Sequence, residues 1–355
     1  MTHPRQVAII GAGIGREHLE AYLQLPEQFQ VATLCDLDEA RAKEVLVKSP
    51  VTQYTNNLET VLKDVSIDVV DICLPPHLHF ETCQRSLRAG KTVICEKPLV
   101  PSLKQADELI ALSKKTGLSV FPVFQYRYGL GALQMQTLIE RGLTGKAYVG
   151  TLETHWNRDS HYYEPPWRGT WAGEQGGAVL THAIHIHDWL SFVFGPVESI
   201  YAQVATRVNT IEVEDCAALT LRMQNGALVT SSITLGANDD TTRLRFCFEG
   251  LTATSGTNPY APAEGNWQFI AREPFKQDAI DAALAGISKP PSGYVGYFSA
   301  IADALDGKKS YAVTLDDGRR SLEFVSAVYA SSRTHQTIKL PLDTKHATYP
   351  GWGPN

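Results

Sequence analysis

The chain has 355 residues, of which 43% are apolar and 20% charged; at roughly 100–200 residues per domain that length predicts two domains. The composition excludes a disordered tail, a collagen-like fibre and a repetitive scaffold. Thirty-two Lys and Arg against 38 Asp and Glu give a net charge of −6, and without a basic cluster neither nucleic acid nor an acidic membrane surface is an expected partner.

The start, Met1-Thr2-His3-Pro4-Arg5, has no signal-peptide layout. Apolar strands are then predicted at Gln6–Ile10, Val31–Leu34, Val69–Leu74, Thr92–Cys95 and Ser119–Val123. They are continuous rather than alternating, as expected of strands covered on both faces. Amphipathic helices separate them at Arg16–Gln24, Glu39–Val47, Phe80–Arg88 and Ser102–Lys115, the last stopped by Gly117. This β-α-β-α order predicts a doubly wound parallel sheet over residues 1–123. From 124 on the texture changes. Alternating strands are predicted at Gly145–Trp156, Val197–Val208, Asp215–Met223, Ala227–Leu235 and Arg243–Glu249, with a hairpin at Asn225-Gly226. Helices are expected at Ala132–Arg141, Leu180–Phe194, Tyr294–Asp306 and Gly318–Ser332. The second domain, 124–355, therefore reads as α+β with a large, mostly antiparallel sheet. The six cysteines are scattered without a CxxC pair, as in a reduced, cytoplasmic protein, and no apolar run approaches the ~18 residues of a membrane span.

Gly11-Ala12-Gly13-Ile14-Gly15 follows a strand and opens a helix, the context of a dinucleotide fingerprint. Such glycines let the backbone approach a pyrophosphate at the positive end of the next helix. The third glycine of G-x-G-x-x-G would fall at Arg16, so Gly15 is expected to serve in a shorter turn. Asp36, at the end of the second strand, suits the adenosine ribose hydroxyls and repels a 2′-phosphate, favouring NAD over NADP. Its plainer reading is a helix N-cap, for which Asp38 is equally placed.

Leu74-Pro75-Pro76-His77-Leu78-His79, Gly90–Pro98 with Glu96-Lys97-Pro98, and Gly176-Gly177-Ala178-Val179-Leu180 with His185 and Asp188 resemble the glucose–fructose oxidoreductase / inositol dehydrogenase / rhizopine-catabolism (Gfo/Idh/MocA) family. The resemblance implies an NAD-binding Rossmann domain and a substrate-binding, oligomerising second domain, with dimers or tetramers. It adds Leu74, Pro75, His79, Glu96 and Lys97 to the cofactor set of Gly11, Gly13, Ile14, Gly15 and Asp36. It also implies that Lys97 sits at the nicotinamide and meets the substrate hydroxyl, often beside a cis Lys–Pro bond, and that His185 relays the proton. The family's aspartate, four residues before that histidine, is Thr181 here; a threonine can hydrogen-bond but holds no charge.

Thr181–Asp188 contains His182, His185 and His187. A zinc helix of the His-Glu-x-x-His kind lacks its glutamate here, so no metal is expected. Read as one helix, the segment groups Thr181 with His185 and Asp188, while Asp188 is expected to be buried against His185 or a backbone amide and His182 or His187 to be packing groups. Tyr163, Trp167 and Arg168 precede it in a loop suited to stacking on a polyol, and Gln125 and Arg127 match another family segment. The candidate catalytic residues are thus Lys97, His185 and Thr181. Those for substrate are Lys97, Gln125, Arg127, Tyr163, Trp167, Arg168, Thr181, His182 and His185. The expected activity is NAD-dependent oxidation of a sugar, cyclitol or glycoside hydroxyl. Its rivals are a glycosidase that uses transient oxidation and a non-catalytic NAD or sugar sensor. The tail from Pro341, with Tyr349 and Trp352, is open to a role at a subunit interface or at a neighbour's site.

Overall fold

The computed structural model describes residues 3–47, 49–51, 53–265 and 267–354. By its contacts the chain divides into two compact units, one running to Phe124 and joined by Tyr294–Leu322, the other made of Gln125–Gly293 and the residues from Glu323.

In the first unit, six strands among the described residues form one parallel sheet: β1 (Arg5–Ile10), β2 (Phe29–Cys35), β3 (Gln53–Thr55), β4 (Val69–Ile72), β5 (Thr92–Cys95) and β6 (Val120–Pro122), in the order β3-β2-β1-β4-β5-β6. The helices are α1 (Gly15–Tyr22), α2 (Glu39–Leu46), α3 (Leu58–Lys63), α4 (His79–Arg88) and α5 (Leu103–Thr116). Val7, Ala8, Ile9, Val70, Val93 and Ile94 are fully buried, which is what continuous apolar strands require. Caps set the helix ends. Asp38 accepts from Arg41 N, Asn57 from Glu59 N and Ser102 from Gln105 N, and Gly117 closes α5 at φ +71°. Strand order reverses beside β1, so the loops after β1 and β4 flank the switch point where ligands of such sheets bind.

The second unit contains α6 (Leu130–Glu140), β7 (Ala147–Asn157), α7 (Trp171–Glu174), α8 (Ala178–Thr181), α9 (Ile184–Phe194), β8 (Val197–Ala205), β9 (Cys216–Met223), β10 (Leu228–Thr234), β11 (Gly236–Phe248), β12 (Leu251–Thr254), β13 (Gln268–Ala271) and α10 (Gln277–Leu284). Two long helices follow, α11 (Gly293–Leu305) and α12 (Leu315–Thr334), then β14 (Ile338–Lys339). Among the described residues eight strands pair in the order β13-β12-β11-β7-β10-β9-β8-β14. Every pairing is antiparallel except β7 with β10. The hairpin at Asn225-Gly226 joins β9 to β10, with Gly226 at φ +89°. Trp189, Trp267 and Phe246 stack beneath the sheet. No helix among the described residues is long and apolar enough to cross a membrane.

Two sequence expectations change. Residues 294–322, assigned above to the second domain, cluster with the first unit. The cause is packing: Phe298 stacks on Tyr22 with ring centroids 3.9 Å apart, and Tyr297 Oη donates to the carbonyls of Phe121 and Pro122. The expected helix Leu180–Phe194 is interrupted. Ala183 N donates to Ala178 O, five residues back, and His182 ends α8 at φ −118°, ψ −59°, so α8 and α9 are separate elements.

Candidate active site

The glycine turn after β1 assigns each glycine a different task. Gly11 has φ +105°, and a Cβ there would lie 2.4 Å from Cys73 O. A Cβ on Gly13 would meet nothing within 4 Å, leaving backbone open to a ligand. On Gly15 it would lie 2.7 Å from Ile9 Cγ2, so Gly15 provides the close helix–strand packing that the third glycine of the longer motif provides. Ile14 precedes α1 without a side-chain cap, which leaves amide donors for an anion. Asp36 Oδ2 accepts from Ala12 N at 2.6 Å and Oδ1 from Asp38 N at 2.7 Å. Asp38, not Asp36, caps α2. The carboxylate of Asp36 thus stands against the glycine turn, with Arg41 Nη1 3.9 Å away.

Past β4, Leu74 and Pro75 lead into a short turn. The buried His79 joins this segment to the next: Nε2 lies 2.8 Å from Leu74 O and Nδ1 2.8 Å from Pro98 O. Burial lowers its pKa, against the pull of the two carbonyls. Lys97 follows β5 and is half-buried, and the Lys97-Pro98 bond is cis. Glu96 Oε2 accepts from Lys97 N at 2.9 Å while Oε1 accepts from Tyr294 Oη and lies 3.2 Å from His18 Nε2. Burial would raise the Glu96 carboxyl, but the His18 contact and Lys97 hold it down to about 2.

In the second unit, Gly177 is required by close approach, since a Cβ there would meet Glu214 O at 1.9 Å. Glu214 accepts from Gly177 N, Val179 N and Tyr329 Oη, fixing the start of α8. Thr181 Oγ1 donates to Gly177 O and lies 2.7 Å from His182 Nδ1. His185 lies in the first turn of α9 and stacks on Tyr126 at 4.2 Å. Thr181 ends α8 while His185 and Asp188 lie on α9, so the three do not share one helix as the sequence reading expects. Asp188 forms a buried bidentate ion pair with Arg127, whose guanidinium also lies over Phe192. The sequence reading expects His185 or a backbone amide beside Asp188; in the fold Arg127, expected at the substrate, is a partner of it, and both side chains are buried. Gln125 begins the same short turn, which Trp189 Nε1 ties to α9 through Tyr126 O. His187 lies 3.1 Å from Ser231 Oγ, stacked on Phe324, and burial pushes it down to about 3. His182 meets the edge of Trp156 and the ring of Tyr162. Arg168 covers the rings of Tyr162 and Trp167, Arg158 covers Trp156 and Tyr162, and Tyr163 packs against Tyr162. Trp167 is half exposed.

Residues 5–124 match the model of an oxidoreductase family with an NAD-binding Rossmann fold, and residues 132–254 match the Gfo/Idh/MocA C-terminal domain. The chain belongs to the Gfo/Idh/MocA oxidoreductase family. The uncharacterized oxidoreductase sll0816 of Synechocystis sp. is 29% identical over 240 residues, 62% of this chain and 62% of that relative's own length. D-glucoside 3-dehydrogenase of Escherichia coli is 23% identical over 363 residues, covering 96% of this chain and 98% of the relative. The WlbA dehydrogenase of Bordetella pertussis, solved with NADH and UDP-GlcNAcA, superposes with a TM-score of 0.84 at 25% identity, covering 97% and 99% of the two chains.

As a Gfo/Idh/MocA oxidoreductase, the chain has an NAD-binding Rossmann domain, and its residues fit that cofactor: an open Gly13 face, an uncapped α1 and a carboxylate held against the glycine turn. When bound, NAD supplies the hydride acceptor. Sequence reasoning passed over His18, Asp71, Tyr22 and Tyr294, which meet Glu96 or one another within hydrogen-bond distance. The available sign was Asp71, a carboxylate in an otherwise apolar, doubly covered strand, which demands a buried partner.

Proposed function

We propose that this protein is an NAD-dependent dehydrogenase that oxidises a hydroxyl of a sugar: an aldose, or a ring hydroxyl of a cyclitol or glycoside. The observation that carries the reading is Lys97 on the carboxyl edge of the parallel sheet, on the same edge as the glycine turn and only one strand beyond β4. A lysine there is suited to take or steady the hydroxyl proton, and His185, stacked on Tyr126, shares the duty as a relay. Thr181 and His182, already bonded to each other, and the Tyr163, Trp167 and Arg168 cluster supply hydroxyl partners and stacking faces of the kind sugars use. The sugar specificity of the E. coli relative and the sugar bound to WlbA support the same substrate class. The reading also takes the protein to be a cytoplasmic dimer or tetramer, consistent with six cysteines that are all free.

The test is NADH formation by the purified protein on a panel of aldoses, cyclitols and glycosides, with Lys97→Ala beside the wild type. NADH from at least one sugar, and a kcat about 10²–10⁴-fold lower in the variant with NAD still bound, supports the reading. An undiminished variant contradicts the assignment of Lys97. Release of an aglycone without net NADH selects the glycosidase reading instead.

A further inference from the structure

His18 lies on α1 with no solvent exposure, and both ring nitrogens face carboxylates. Nδ1 is 2.9 Å from Asp71 Oδ2 on β4, and Nε2 is 3.2 Å from Glu96 Oε1 past β5. Ionised carboxylates only accept hydrogen bonds, so the two contacts together call for hydrogen on both nitrogens. The other groups facing the ring agree with this. Tyr22 Oη donates to Asp71 Oδ2 and Tyr294 Oη to Glu96 Oε1, Cys73 Sγ lies 3.4 Å from Nδ1, and Tyr294 and Phe298 pack against the ring. Without a cation between them, two buried carboxylates would stand side by side in a dry interior, which is costly. Burial opposes charge on His18, yet Asp71 above all raises its pKa well above the ordinary histidine range.

The ring has a place in the site as well as a charge. Its helix starts at Gly15 in the cofactor turn, and the other oxygen of Glu96 accepts from the amide of Lys97. We propose that His18, as a buried imidazolium bridging Asp71 and Glu96, is a positioning residue that holds the Lys97 backbone in register with the cofactor-binding turn. This rests on the reading of Lys97 as the proton-handling residue. The atoms His18 Nδ1, Asp71 Oδ2 and Cys73 Sγ are close enough together to suggest a cation site, but 2.9 Å between nitrogen and oxygen is the length of a direct hydrogen bond.

Two measurements test the proposal. In wild-type protein with 15N-labelled histidine, through-bond correlation spectra are expected to show one histidine with both ring nitrogens protonated from about pH 6 to 8. That signal is expected to disappear in His18→Gln. In kinetics, His18→Gln is expected to lower kcat about 10–100-fold with the KM for NAD changed about threefold or less. The acid limb of its kcat profile is expected to move to higher pH, because Glu96 loses the cation that keeps it ionised. A neutral His18 in the wild type, or a stoichiometric metal in the purified protein, overturns the proposal even where the variant folds poorly. So does a His18→Gln enzyme with wild-type kcat and pH profile while Lys97→Ala is inactive. If Lys97→Ala itself keeps its rate, the functional reading fails, and the nitrogen spectra still report the charge of His18.

Discussion

Asp36 and Asp38 stand two residues apart and do different work. Asp38 caps α2 by accepting from Arg41 N at 3.1 Å, whereas Asp36 lies against the glycine turn through Ala12 N. Asp38→Ala is therefore expected to lower stability by about 1 kcal/mol with NAD affinity unchanged. Asp36→Ala is expected to weaken NAD binding about 10–100-fold and to narrow its preference over NADP, because a charged acceptor for the ribose is removed. Titration of both variants with each dinucleotide, beside their melting curves, checks this; similar losses of affinity in the two would contradict it. Which aspartate caps α2 was open in the sequence, where both follow the same strand, and the backbone bonds decide that it is Asp38. Asp188 and Arg127 carry the opposite lesson. They lie 61 positions apart, so no spacing rule pairs them, and each was read as facing something else.

Among the elements, β1 and α1 are coupled through Gly15. A methyl there would press on Ile9 Cγ2 at 2.7 Å, so Gly15→Ala is expected to cost about 1–3 kcal/mol by overpacking, seen as a lower melting temperature together with weaker NAD binding. Unchanged stability would mean that α1 shifts freely and that the third-glycine role lies elsewhere. The parallel strands were legible because burial on both faces writes an unbroken apolar run, as in Val7–Ile10. β3 and α3 were not: Gln53–Thr55 is three residues long with no fully buried position, and Leu58–Lys63 is under two turns. The break between α8 and α9 was also hidden, since Thr181-His182-Ala183 contains neither Gly nor Pro. At this point Thr181 Oγ1 bonds Gly177 O and lies beside His182 Nδ1, and Ala183 N reaches back five residues to Ala178 O.

At the scale of the whole molecule, the return of residues 294–322 to the first unit rests on aromatic packing of Phe298 and Tyr297 with partners far away in sequence. Amphipathic period alone shows that α11 is a helix, not which unit it joins. The tail shows the same limit: Trp352 is buried in the second unit and donates to Gln175 O, so it packs on its own chain. Burial also gives the molecule an acid limit. His187 stays neutral in the fold down to about pH 3, but binds a proton when unfolded below about pH 6.5. The unfolded state then holds more protons, so this contribution is complete above about pH 6.5 and is lost as pH falls toward 3, by up to about 1.4 kcal/mol per pH unit. His187→Gln keeps a polar group near Ser231 and is expected to flatten the acid side of the melting-temperature profile; profiles that run parallel to wild type would contradict this. The central claim is hydride transfer from a sugar carbon, and isotopic labelling tests it most directly. With the best sugar from the panel deuterated at the oxidised carbon, mass spectrometry of the dinucleotide product is predicted to find the deuterium in NADH. NADH that forms without deuterium, or a sugar product that forms without any NADH, would contradict the account.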